Sequence, residues 1–167
     1  MKNILETERL YLRQFTPDDA SFHFALNSDP LVLQFTGDAA FSSEEGARSF
    51  LEQYDHYEKY GFGRWNCFRK IDGVFIGWCG LKFNEVQEID LGYRFFRKEW
   101  NKGYATEAAN ACLDYGFDIL KIKRIIGRVH PENSASIQVL KKVGMTYWKV
   151  DACGDDEGFL YYRAEIF

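Results

Sequence analysis

From Arg9 to Phe15, apolar and polar residues alternate with a period of two and place Leu10 and Leu12 on one face, which predicts a first strand. Thr16-Pro17-Asp18-Asp19 then carries helix-start chemistry. Thr16 is a capping hydroxyl, Pro17 suits the first helical position, and the two acids sit at the positive end of the dipole. The helix it predicts ends near Asp29-Pro30. Ser42-Ser43-Glu44-Glu45 is a second start signal, followed by Ala47, Phe50, Leu51 and Tyr54 at helical spacing. Arg64–Ile71 and Val74–Phe83 read as strands joined at Asp72-Gly73, a hairpin turn signal, and Glu88–Phe96 as a third. A long helix follows to Leu120, with Ala105, Ala108, Ala109, Cys112, Leu113, Gly116 and Leu120 on one stripe. Arg124–Val129 is a β-branched strand, and Asn133–Val143 a short helix stopped by Gly144. Met145–Ala152 and Phe159–Phe167 form a closing hairpin around Gly154-Asp155-Asp156-Glu157-Gly158.

The predicted order is β-α-α-β-β-β-α-β-α-β-β. Consecutive hairpin strands with one β-α-β crossover imply an α/β (α+β) fold, a mixed sheet with helices on its faces. No repeat or linker divides the 167 residues, so one domain spanning residues 1–167 is expected.

Charge and cysteine usage narrow the partners. The net charge is −4, with Lys and Arg spread along the chain, which argues against nucleic acid and favours a cationic partner. Charges interrupt every apolar run before membrane-spanning length, and Met1-Lys2-Asn3-Ile4-Leu5-Glu6 lacks a signal-peptide core. The expected location is the cytoplasm, with no membrane partner. Cys67, Cys79, Cys112 and Cys153 form no C-x-x-C pair and read as reduced thiols. His23, His56 and His130 show no ligand spacing, so no metal is expected.

Candidate chemistry concentrates in Trp100-Asn101-Lys102-Gly103-Tyr104-Ala105-Thr106-Glu107-Ala108, between a predicted strand and a predicted helix. Unpaired N–H groups and the helix dipole at such a turn make an anion site suited to phosphate. Gly103 alone has a second reading, as a residue that opens the turn or allows close packing. The stretch matches neither the G-x-x-x-x-G-K-[ST] phosphate loop nor the G-x-G-x-x-G dinucleotide fingerprint.

Two more segments join this one: Leu5-Glu6-Thr7-Glu8-Arg9-Leu10-Tyr11-Leu12-Arg13, and Asn133-Ser134-Ala135-Ser136 with Leu140-Lys141-Lys142-Val143-Gly144-Met145. With Leu91-Gly92-Tyr93-Arg94-Phe95 running into the Trp100 loop, this order and spacing resembles the GNAT N-acetyltransferases over nearly the whole chain. Within them it resembles the branch of ribosomal-protein N-terminal acetyltransferases (the RimJ/RimL type). The resemblance implies a mixed, mostly antiparallel seven-stranded sheet flanked by about four helices. Its fourth and fifth strands splay apart, and acetyl-CoA, the co-substrate, lies in the wedge. It implies that Trp100, Asn101, Lys102, Gly103, Tyr104, Ala105 and Thr106 hold the pyrophosphate through backbone N–H groups. Lys102 and the backbone would compensate for the uncharged Trp100. It further implies that the Phe95 backbone pairs with pantetheine and that Asn133 contacts CoA or caps a helix, or both. Ser136 stands where this branch places a serine near the cofactor sulfur; its other reading is an exposed helix serine. The position four residues on, a tyrosine acid in many relatives, is Leu140.

Transfer to an amine needs the neutral amine. An α-amine, with a reference pKa near ~8, needs less help than lysine near ~10.4. Asp90 matches an acidic position in the branch and is the first candidate base, with Glu88 second; both also read as solvated strand-edge charges. A carbonyl-polarising N–H is expected near Phe95. Asp29, Asp38, Glu44, Asp155, Asp156 and Glu157 are a possible negative rim for the acceptor. Trp65, Trp78 and Trp148 line its site or pack in the core. The activity implied is acetyl transfer to a protein N-terminal α-amine or a small-molecule amine; the alternative is a non-catalytic acyl-CoA sensor on the same fold. Monomer and homodimer are both open, the latter through an exposed edge at Phe159-Leu160-Tyr161-Tyr162.

Overall fold

The structure is a computed structural model describing residues 2–167. One eight-stranded sheet runs through it in the order β1-β2-β3-β4-β5-β6-β8-β7. Its strands are β1 (Leu5–Glu6), β2 (Leu10–Gln14), β3 (Arg64–Arg69), β4 (Phe75–Phe83), β5 (Ile89–Phe95), β6 (Arg124–Val129), β7 (Thr146–Cys153) and β8 (Asp156–Glu165). The fold class is the expected one, with one strand more than seven. Leu5–Glu6 folds back on Leu12 and Tyr11, a pairing of two residues too short to carry a periodic signal. The helices are α1 (Ala20–Leu26), α2 (Pro30–Leu33), α3 (Glu44–Glu52), α4 (His56–Tyr60), α5 (Tyr104–Asp114) and α6 (Ser134–Lys142). The first expected helix is therefore two: Asn27 caps α1 and Pro30 opens α2. Helix α4 is a single turn ended by Gly61 at φ +78°. The long helix reaches Leu120 as expected, its last turn being a π-helical segment, Tyr115–Ile119.

The local signals act as read. Thr16 N–H donates to Asp19 Oδ2 at 2.8 Å, Ser43 Oγ accepts from Gly46 N–H at 3.0 Å, and Gly144 ends α6 at φ +83°. The closing hairpin differs. Cys153 pairs with Asp156, so the turn is Gly154-Asp155 and the rest of the expected loop is strand. The expected edge at Phe159–Tyr162 is also corrected. These residues lie in β8, which pairs with β6 on one side and β7 on the other, so β7 is the outer strand.

The main core lies between the sheet and α5. Leu10, Leu12, Trp65, Leu81, Ala108 and Ile125 there are at most 1% exposed, each large apolar member contributing about 1.5–3 kcal/mol. Cys67, Cys79 and Cys112 are buried free thiols in the same layer, and Cys153 is a half-buried one.

The feature that positions the site is the join between β5 and β6. They are the one parallel neighbour pair in the described sheet, held by a single Cα register pair, Asp90↔Ile126. Beyond it the strands diverge while β4 follows β5 as far as Gly77↔Phe95. Phe96 N–H bonds to Ile76 O at 3.1 Å. Antiparallel alternation then turns the backbone groups of Tyr93 and Phe95 away from β4 and into the gap. With the added β1 set aside, β5 and β6 are the fourth and fifth strands, and this is the wedge expected between them.

Candidate active site

The wedge opens into a cavity of about 630 Å³. Its walls come from Tyr93–Phe95 of β5, the loop before α5, the first turns of α6, and residues 31–36 of α2 and the loop after it.

One end is built for an anion. Gly103 is the N-cap of α5 at φ +80°, and the preceding Asn101 is at φ +60°. The first bond of this helix runs from Glu107 N–H to Gly103 O at 3.0 Å, so the N–H groups of Tyr104, Ala105 and Thr106 point out of the helix end. Trp100 occupies the turn by donating its indole N–H to Phe95 O at 2.9 Å. That bond takes one of the backbone groups expected to meet pantetheine and leaves the Phe95 N–H. Lys102 does not line the cavity: its ammonium lies 3.1 Å from Glu99 Oε2, a carboxylate 4% exposed that Arg69 also reaches at 3.1 Å. At this loop the charge offered to a phosphate is therefore that of the backbone dipoles, with Lys142 of α6 also lining the cavity.

The N-terminal segment holds this loop. Glu107 Oε1 accepts from Thr7 Oγ1 at 2.5 Å and from Arg9 N–H at 2.8 Å, and Oε2 from Arg9 Nε at 2.6 Å. Arg9 Nη1 donates to Lys102 O at 2.8 Å, and its guanidinium lies over the Tyr104 ring at 4.4 Å. Burial opposes the Glu107 charge, but these donors hold its carboxyl below the usual range. The two sequence segments are thus halves of one bonded unit.

Asn133 Oδ1 accepts from Ser136 N–H at 3.2 Å, so Asn133 is the α6 N-cap, and the residue also lines the cavity with its amide nitrogen taking no part in that bond. Ser136 Oγ lies 2.8 Å from Tyr93 Oη, and Tyr93 O–H also reaches Ser136 O at 3.1 Å. Tyr93 shares the β5 face of Leu91 and Phe95. Period-two reading of β5 carries that signal, yet sequence reasoning gave Tyr93 no role.

The opposite face of β5 bears Asp90, Gly92 and Arg94. Asp90, 7% exposed, stands at the apex where β5 and β6 last touch. Its Oδ2 accepts from Arg128 Nη2 at 2.8 Å and Nε at 3.1 Å and lies 3.9 Å from Arg64 Nη2; its Oδ1 accepts no hydrogen bond among the described residues. Burial pushes this carboxyl above the ordinary range, against the pull of Arg64 and Arg128. Arg64 and Arg94 flank Trp78 with guanidinium carbons 5.5 and 5.3 Å from its ring. Arg94 donates to Asn27 Oδ1 at 2.8 Å and Asp38 Oδ2 at 2.6 Å. Glu88 is not brought to the wedge; it lines a separate hollow with Ile122 and Arg124. Of the expected acidic rim, Asp29 is paired with Arg97 at 3.0 Å and Asp38 with Arg94. Trp65 is core at 1% exposure, whereas Trp148 packs outside the wedge near Arg124, Lys149 and Arg163.

A splayed β5–β6 pair beside a helix N-terminus is the architecture of an acyl-transfer enzyme that binds its donor by a phosphate-bearing tail. Comparison with known proteins defines the class. The family described as Acetyltransferase (GNAT) domain matches residues 9–146, and the chain belongs to that family. It is accordingly an acetyl-CoA-dependent acetyltransferase. Among curated proteins it is 35% identical over 153 residues to the uncharacterized protein YkkB of Bacillus subtilis, covering 89% of this chain and 88% of that protein. It is 33% identical to the uncharacterized N-acetyltransferase p20 of Bacillus licheniformis, over 83% of this chain and 80% of that one. Among solved structures, a GNAT acetyltransferase from Bacillus anthracis aligns with TM-score 0.79 and 30% identity, covering 96% and 97% of the two chains. The fold is shared with RimL, a ribosomal L7/L12 α-N-protein acetyltransferase solved with CoA (TM-score 0.84, 15% identity, 99% and 98% covered). It is also shared with the Vibrio cholerae spermidine N-acetyltransferase solved with CoA and spermine (0.79, 18%, 95% and 96%).

Proposed function

We propose that this protein transfers the acetyl group of acetyl-CoA directly to an α-amine flanked by a carbonyl, as at a peptide N-terminus. The N–H groups of Tyr104, Ala105 and Thr106 would hold the pyrophosphate, and the backbone of Tyr93 and Phe95 would pair with the pantetheine arm. Asn133 Nδ2 would meet the same arm. The residues fit this group: a bare helix end with φ +80° at Gly103 and outward-facing strand groups border one cavity of about 630 Å³.

The observation that carries the acceptor class is the charge arrangement around Asp90, at the apex of the wedge behind the residues that line the cavity. The Asp90 carboxylate stands between the guanidiniums of Arg64 and Arg128, while Arg94, further along the same strand face, is paired with Asp38. Arg128 is paired with Asp90 and Glu85 and Arg94 with Asp38, so no excess of negative charge gathers a polycationic acceptor here, whereas guanidinium donors can meet a carbonyl beside the reacting amine. An α-amine, near ~8 in reference pKa, also needs only a modest base, a task suited to a buried Asp90 partly restrained by arginine. In this reading Asp90 Oδ1 accepts the amine proton. The amine nitrogen forms its bond to the acetyl carbon, and the carbon–sulfur bond breaks with its electron pair leaving on sulfur. The Tyr93 N–H, the next gap-facing donor along β5, polarises the thioester carbonyl, and the Phe95 N–H is left to the pantetheine arm.

The test is acetyl transfer from labelled acetyl-CoA to a panel of peptides with free N-termini, lysine peptides with blocked N-termini, polyamines and aminoglycosides, resolved by mass spectrometry. Transfer to free N-termini is expected. Transfer confined to polyamines or aminoglycosides would overturn the acceptor class. Tight CoA binding with no transfer at all would make the chain a non-catalytic acyl-CoA sensor.

A further inference from the structure

The Ser136 hydroxyl is not alone in the wedge. Tyr93 Oη is 2.8 Å from Ser136 Oγ and 3.1 Å from Ser136 O, and both residues line the cavity. The contact joins β5 to the first turn of α6 across the gap between β5 and β6, where no strand pairing exists beyond Asp90↔Ile126. Ser136 has one hydroxyl proton. When that proton goes to Tyr93 Oη, Ser136 has nothing to donate into the cavity. When Tyr93 is the donor, Ser136 Oγ is an acceptor and its own proton is free to turn outward. Which hydroxyl donates therefore decides whether Ser136 faces the leaving sulfur with a hydrogen or with a lone pair.

We propose that Tyr93 is a positioning residue for acetyl transfer: its hydroxyl donates to Ser136 Oγ and so aims the Ser136 proton at the departing CoA sulfur. The inference rests on the acetyl-transfer reading above. The chain is Tyr93 O–H to Ser136 Oγ, then Ser136 O–H to sulfur. Both protons stay on their oxygens while the sulfur takes the electron pair of the broken bond. Donation from Tyr93 polarises the Ser136 hydroxyl and strengthens its bond to the developing thiolate. Burial raises the affinity of the Tyr93 hydroxyl for its proton, so it remains a donor throughout the neutral range.

Tyr93→Phe removes one hydroxyl and leaves the ring. It is expected to lower kcat about tenfold, the effect of one modest hydrogen bond, with KM for acetyl-CoA within about twofold of the parent. Ser136→Ala is expected to lower kcat at least as much, and the double variant no further than Ser136→Ala alone, because Tyr93 acts through Ser136. The second readout needs no acceptor: the pKa of the thiol of bound CoA, followed by thiolate absorbance in full-length protein. The parent is expected to hold it below the free thiol's value, and both single variants to return it toward that value. A kcat and thiol pKa in Tyr93→Phe equal to the parent's would overturn the inference and leave the acetyl-transfer reading intact. So would a multiplicative loss in the double variant, the mark of a merely structural tyrosine. If the parent itself moved no acetyl group, the function reading would fail instead, and the thiol measurement would still decide the Tyr93–Ser136 contact.

Discussion

Asp90 has a divided environment. Arg128 holds one oxygen at 2.8 Å while the other accepts no hydrogen bond among the described residues, and burial raises its proton affinity against Arg64 and Arg128. Asp90→Asn keeps the size and an oxygen for Arg128 while removing the base. In the proposed reaction it should lower kcat by about 10²-fold, the usual contribution of a general base, with KM for acetyl-CoA within twofold. Initial rates with a free-N-terminus peptide check this, and an unchanged kcat would remove Asp90 from the chemistry. The sequence singled out Asp90 by position but not its arginines. Arg128 reaches it from β6 and Arg64 from β3, 38 and 26 residues away along the chain. Ser136 was legible in the same way and Tyr93 was not, since a serine–tyrosine contact 43 residues apart leaves no local pattern.

Among the elements, the loop and first turn of α5 are held by the N-terminal strand pair. Gly103 is at φ +80°, and a Cβ there would lie 3.2 Å from Arg9 Nη2. A non-glycine residue in that backbone region costs about 1–2 kcal/mol. Gly103→Ala should therefore distort the phosphate-facing N–H groups and raise KM for acetyl-CoA about fivefold or more, leaving kcat within about twofold, since 1.4 kcal/mol is tenfold in binding. Steady-state kinetics with acetyl-CoA varied checks it; an unaltered KM would show that the loop does not hold the phosphates. Caps and turns were legible because each is a short-range exchange of hydrogen bonds. Thr16, Ser43 and Gly144 act within a few residues of themselves. The hairpin Gly154-Asp155 was misjudged because three polar residues, Asp156, Glu157 and Gly158, are carried into β8 by pairing with β7.

At the scale of the whole molecule, buried polar groups tie the helical layer to the sheet. Asp19, 2% exposed, accepts from Arg13 at 2.7 and 2.8 Å and from Asn66 at 2.9 Å, and Asn66 Oδ1 meets His23 Nε2 at 2.8 Å. Burial lowers the proton affinity of His23, 2% exposed, more than its bond to Asn66 raises it, and burial lowers that of His56 as well. A histidine whose folded pKa is depressed contributes stability fully above its unfolded value, near ~6.5, and loses it as pH falls from there toward the folded value. The urea midpoint should fall between about pH 7.5 and pH 5.5, and fall less in His23→Gln, which cannot be protonated. Equal falls in parent and variant would place the pH sensitivity elsewhere. Asp19 acts lower on the scale. Burial opposes its charge, but Arg13 and Thr16 depress its carboxyl, so its contribution is lost only as pH drops below the ordinary carboxylate range.

The order of the main strands and helices, the caps and the glycine turn before α5 follow from the chain alone, because periodicity and local hydrogen bonding act over a few residues, whereas Asp90 and Ser136 were singled out by the resemblance to the acetyltransferase family. Tertiary structure alone decided the rest. It added β1, placed β8 inside the sheet and β7 at its edge, and turned Lys102 from the cavity to Glu99. It also surrounded Asp90 with arginines and brought Tyr93 against Ser136. Each of these depends on residues far apart in the chain meeting across a packed sheet, where the partner that satisfies a buried charge or hydroxyl is chosen by proximity in space.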